Sequence, residues 1–112
     1  MDNDVSKRVM TQPQKIQHII TKSAEYFGIE GVEFTTSFMN KGDLFNKKPY
    51  VVYILSQHTA CTQREISKLM GYADHSNVSY VIRNMKDALS GESYGNEKTK
   101  MIYNELIKYI DL

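Results

Sequence analysis

The stretch Thr62–Met85, TQREISKLMGYADHSNVSYVIRNM, decides the fold, because it spells two short helices separated by a glycine turn. Thr62 followed three residues later by Glu65 has the form of a capping box, and Ile66, Leu69 and Met70 give the helix it starts an apolar face. Gly71 supplies the positive-φ stop that side chains resist. After a turn of about three residues, Asp74 caps a second helix, on which Val78, Val81, Ile82, Met85 and Leu89 recur at helical spacing. At about 100° per residue, Ser76, Ser79, Tyr80, Arg83 and Asp87 fall on the opposite face. Helices are therefore expected near 62–70 and 74–90, joined as a helix-turn-helix whose second member offers its N-terminus to a DNA groove.

The residue types at that N-terminus suit base edges. Asp74 can accept from a cytosine amino group, Asn77 can pair bidentately with adenine, and Ser76 can donate or accept. His75 offers one donor and a ring edge for a thymine methyl. Ser79 and Tyr80 lie one turn further along the same face. None of these contacts needs a catalytic partner. The plainer reading is that Asp74 is only a cap and that His75 and Ser76 are solvated; the capped helix and glycine turn ahead of them favour base contact.

From about Ile16 to Met85 the chain resembles the C-terminal DNA-binding domain of the bacterial replication initiator DnaA. The resemblance rests on Gly71-Tyr72-Ala73-Asp74-His75-Ser76-Asn77-Val78, where that family carries glycine, glycine, arginine, aspartate, histidine, threonine, threonine, valine. Glu65-Ile66 ahead of Gly71, the apolar run Tyr50 to Leu55, and Arg83 downstream extend it. It implies a Trp-repressor-like, all-α bundle of about five to six helices that binds double-stranded DNA. It also implies phosphate contacts from Lys41, Lys47, Lys48, Thr62, Arg64 and Arg83. In the family a basic loop before the long helix carries several arginines; here that stretch is Phe38–Lys48, FMNKGDLFNKK, with three lysines and no arginine, and Ala73 stands where the signature has arginine. Arginine and lysine differ in a narrow minor groove. These departures bear on which bases are read, not on whether DNA is bound.

Charge is distributed to match. The net charge of the 112-residue chain is only +1, but seven basic residues (Lys41, Lys47, Lys48, Arg64, Lys68, Arg83, Lys86) face three acids (Asp43, Glu65, Asp74) between Lys41 and Lys86, leaving +4 there and −3 elsewhere. Such segregation fits a phosphate-tracking face, against the alternative of an ordinary solvated one. With 41% hydrophobic residues, one domain of this length can bury about two-thirds of its unfolded surface. No G-x-x-x-x-G-K-S/T pattern is present, so no nucleotide-driven activity is expected, and no enzyme site, cofactor or small-molecule substrate either. No apolar run approaches the ~18 residues of a membrane span, and a cytoplasmic location is the default.

The scaffold follows from the remaining signals. Residues 1–11 are polar and aperiodic and are read as an arm, with 12–112 as one helical domain. Pro13 suits a first helical turn; Ile16, Ile19, Ile20, Ala24 and Phe27 mark the helix, and Gly28 closes it. Val32 and Phe34, in a short element or ordered loop, are expected on the core. Pro49 is placed near a helix start, with Val51, Val52, Ile54 and Leu55 making that helix central. Ser90–Asn96 reads as a loop, and Asn96 can cap a last helix with Met101, Ile102, Leu106, Tyr109 and Ile110 as its apolar residues. His58 and Cys61 have ligand-like spacing, but no second pair follows, so no metal site is expected. Tyr26, Tyr53, Tyr103 and Tyr109 sit at packing positions, whereas Tyr72 and Tyr80 flank the reading helix as candidate DNA contacts. The competing function is a protein-interaction module, docking through the Ile16/Ile20 helix or the last helix, or as a homodimer.

Overall fold

At Gln12–Phe27, Gln63–Leu69 and His75–Leu89 the start and stop signals of the sequence fall where the helix ends are. The computed structural model describes residues 10–29, 42–72, 74–90 and 96–111, and among them five helices and no strand: α1 Gln12–Phe27, α2 Gly42–His58, α3 Gln63–Leu69, α4 His75–Leu89 and α5 Glu97–Ile110. The protein is an all-α bundle. The expectations for residues 1–9 of the 1–11 arm, for Val32, Phe34, Lys41 and Ala73, and for residues 91–95 of the loop before the last helix concern residues outside the described set.

Capping explains four of these boundaries. Thr11 and Gln14 form a capping box before α1, with Pro13 in its first turn, and Gly28 ends it at φ 71°. Thr62 and Glu65 form the second box, at α3, where the Thr62 N–H donates to Glu65 Oε1 over 2.8 Å and the Glu65 N–H donates to Thr62 Oγ1 over 3.1 Å. Gly71 takes φ 73°, a conformation glycine adopts without cost. Asp74 caps α4, accepting from the Ser76 N–H at 3.1 Å. Each box satisfies two orphan N–H groups that a helix start otherwise exposes.

Packing places α2 at the centre. It lies against α1, α3 and α4, while α1 and α4 each meet α5, so α5 closes the bundle. Val51, Val52, Ile54 and Leu55 of α2 are fully buried, together with Ile19, Ile66, Met70, Val78, Leu106 and Ile110. Each such side chain contributes roughly 1.5–3 kcal/mol of transfer free energy. The α4 stripe behaves as its spacing requires: Val78 and Met85 are buried, and Val81, Ile82 and Leu89 pack at its margin. The register of α1 on α5 is fixed by polar contacts: His18 Nε2 lies 2.7 Å from the Ile110 carbonyl, Tyr26 donates to Glu105 over 2.7 Å, and Tyr109 donates to Glu25 over 3.1 Å.

Two expectations need correction. Pro49 does not mark a helix start: α2 begins at Gly42 and carries Pro49 inside it. Proline's fixed φ is helical, and its missing N–H costs one bond to the carbonyl four residues back, which the buried run Tyr50–Leu55 offsets. Lys47 and Lys48 consequently belong to a helix and not to a basic loop. In α5, Met101 and Tyr109 are exposed, because α5 touches the bundle along a strip covered by Leu106 and Ile110. Asn96 occupies the cap position there without a side-chain hydrogen bond.

Candidate nucleic-acid interface

The α3–α4 pair is held as a unit by its turn. The Tyr72 N–H donates to the Ser67 carbonyl at 2.9 Å, and the Ser67 hydroxyl donates to the Tyr72 carbonyl at 3.2 Å, so both backbone groups of Tyr72 return to α3. Leu69, Tyr72, Val81 and Ile82 pack around the buried Ile66, Met70 and Val78. The first turn of α4 is thereby presented by a rigid base.

Asp74, His75, Ser76 and Asn77 are all exposed at that first turn. The Ser76 backbone N–H, and after it the Ser76 hydroxyl, hold the Asp74 carboxyl below the usual carboxylate range, so it is ionised at neutral pH. His75 Nδ1 stands 3.4 Å from Asp74 Oδ1, an ion pair whenever the imidazole is protonated. Asp74 is thus both a helix cap and a side chain with a carboxylate in water. Further along, Tyr80 is 63% exposed, whereas Ser79 is half-buried.

Arg64 and Lys68 on α3, and Arg83 and Lys86 on α4, are exposed, and none of them takes part in an ion pair among the described residues. Thr62 is exposed, its hydroxyl accepting from α3. Lys47 is half-buried, its ammonium 5.9 Å from the Phe27 ring centroid.

Lys48 departs from its expected phosphate role. It is 1% exposed, its ammonium donates to the Met70 carbonyl over 2.6 Å, and it lies 5.2 Å from the Tyr72 ring centroid. Burial pushes its pKa down to about 8. The same burial pushes Tyr72 up to about 12, and Tyr72 faces the core where Tyr80 faces solvent. On a helix, adjacent lysines point about 100° apart. One of the pair therefore enters the interior while the other stays near the surface.

Lys98 was not anticipated. With Lys47, Asn77, Tyr80 and Asn84 it lines a groove of about 1010 Å³ between α4, the middle of α2, the end of α1 and the start of α5. Its placement depends on α5 folding back beside α4, a tertiary fact with no local signal. The Ile16/Ile20 face of α1, considered above for protein docking, is turned inward, with Ile20 buried and Ile16 packed on the core. No family model, no curated protein and no solved structure matches the chain.

Proposed function

We propose that the protein is a sequence-reading, double-stranded DNA-binding domain, with α3 and α4 acting as a helix-turn-helix. The observation that carries this reading is the run Asp74–Asn77, four exposed side chains with base-edge donors and acceptors at the N-terminus of a helix whose opposite face is buried in the bundle. The positive end of the α4 dipole lies at the same place, which favours an approaching phosphate backbone. Arg64, Lys68, Arg83 and Lys86, exposed and outside the described ion pairs, supply the phosphate contacts.

In this mechanism the first turn of α4 enters the major groove. Asn77 and His75 read bases, Asp74 and Ser76 assist, and Tyr80 lies against the groove wall. Nothing is cleaved or transferred. The role that follows is control of replication, of transcription or of a mobile element, as the resemblance to the initiator domain suggests.

Selection of bound duplexes from a random library tests the reading. Enrichment of a defined motif is the expected result. Retention of every sequence alike would overturn sequence reading and leave non-specific DNA binding, whereas retention of none would overturn the reading whole and leave a protein-docking role for the same fold.

A further inference from the structure

A single side chain from outside the α3–α4 pair anchors the turn between them. Helix α3 ends at Leu69 and is followed by its cap residue Met70, whose carbonyl is beyond the reach of an intrahelical donor. The Lys48 ammonium, reaching from α2, fills that place at 2.6 Å and also sits 5.2 Å from the centroid of the Tyr72 ring. It therefore touches both ends of Met70-Gly71-Tyr72, the segment in which Gly71 turns the chain at φ 73°. Asp74 follows two residues later. The side-chain contacts of Asp74, His75 and Ser76 among the described residues are with one another, so the direction of that exposed run is set by the turn before it together with the packing of α4 on α2 and α3. At 1% exposure, the ammonium is out of reach of DNA.

We propose that Lys48 is a positioning residue for base recognition: it fixes the Met70–Tyr72 turn, and through it the direction in which Asp74 to Asn77 face the groove, without touching DNA. The proposal rests on the DNA-reading function above. It separates Lys48 from Arg64 and Arg83, which contact phosphate directly in that reading.

The test compares wild type with Lys48→Met on two duplexes, one recovered by selection from a random library and one of scrambled sequence, at several salt concentrations. The expected result is a loss of about tenfold or more in the affinity ratio between the duplexes, with the salt slope unchanged. A phosphate contact would instead weaken both duplexes and flatten the slope by about one. A purely stabilising role would lower the active fraction and weaken both duplexes by the same factor, leaving the ratio untouched. Either outcome overturns the proposal. Tyr72→Leu, which removes the ring beneath the ammonium and keeps the lysine, is the second variant should Lys48→Met not fold; it is expected to lower the ratio in the same way, and an unchanged ratio overturns the proposal. Amide chemical shifts of the free protein separate the two levels of inference. Changes concentrated at Gly71–Asn77 in Lys48→Met are expected whether or not DNA is the ligand, and an unmoved turn refutes the anchor even where the wild type binds DNA.

Discussion

Replacing Lys48 with methionine should change how stability responds to pH, the variant losing ground to wild type as the pH rises through 8. The ammonium is held at a pKa of about 8, against an ordinary value of 10.5, because burial disfavours its charge. A difference of that size corresponds to roughly 3 kcal/mol, at about 1.4 kcal/mol per pH unit. For a base whose folded pKa is lowered, the cost is fully present below pH 8, where both states are protonated. Between 8 and 10.5 the unfolded chain binds more protons than the folded one, so stability climbs with pH through that window. Methionine has a similar length and no charge, so it removes this cost together with the polar contacts of the ammonium, among them the hydrogen bond to the Met70 carbonyl, worth about 1–2 kcal/mol. The stability difference between the variant and wild type should therefore depend on pH. Between pH 7 and 9.5 the difference should shift by about 2 kcal/mol in favour of wild type. Urea unfolding followed by helical circular dichroism at several pH values measures it. Staying below pH 10 keeps Tyr26, Tyr72 and Tyr103 protonated in the fold, since their pKa values are raised. A stability difference that does not change with pH would refute the buried ammonium, and with it the energetic argument for the anchor.

Further outcomes concern stability and DNA binding. Thr62→Ala removes the hydroxyl half of the α3 capping box and should cost about 1 kcal/mol in urea unfolding. Ile66→Ala, at a fully buried position shared by α3 and the core, should cost roughly 2–5 kcal/mol by the same assay. Gly71→Ala forces a side chain into φ 73° and should destabilise by about 1–2 kcal/mol, a loss absent if the turn can relax. In DNA binding, four cations on α3 and α4 imply a salt slope near −4 and a drop of about 150-fold in affinity between 50 and 200 mM salt; Arg64→Ala should reduce that slope by about one, whereas His75→Ala should relax preference at one base pair by about 1–3 kcal/mol and leave the slope alone.

Local chemistry was legible in the sequence and tertiary placement was not. The α3 box needs only Thr62 and Glu65, three residues apart, and the α4 cap needs only Asp74, so both could be read from neighbours along the chain. The apolar stripe on α4 is equally local, because its period is that of the helix. Pro49 misled because the cost of a proline inside a helix is set by what the surrounding residues bury, and that is decided by α1, α3 and α4. Lys47 and Lys48 carry identical charge and adjacent positions. Which of them faces inward depends on the Met70 carbonyl and the Tyr72 ring, more than twenty residues away. Lys98 joins Asn77 and Tyr80 only through the closure of α5 on α4.

The placement of these lysines changes how binding has to work. Three basic residues were expected to track phosphate ahead of the long helix; one lies outside the described residues, one is half-buried beside Phe27, and one is inside the bundle. In the proposed function the phosphate contacts consequently fall to Arg64, Lys68, Arg83 and Lys86, on the same two helices as the base-reading run. A chain of net charge +1 draws little on long-range steering, and about four phosphate contacts give a modest sequence-independent affinity. In the proposed function, discrimination then rests on the geometry of Asp74–Asn77 against the base edges. A buried cation is a costly way to hold a turn, and in the proposed function that cost falls beside α4, where the direction of the helix decides which base edges Asp74–Asn77 meet.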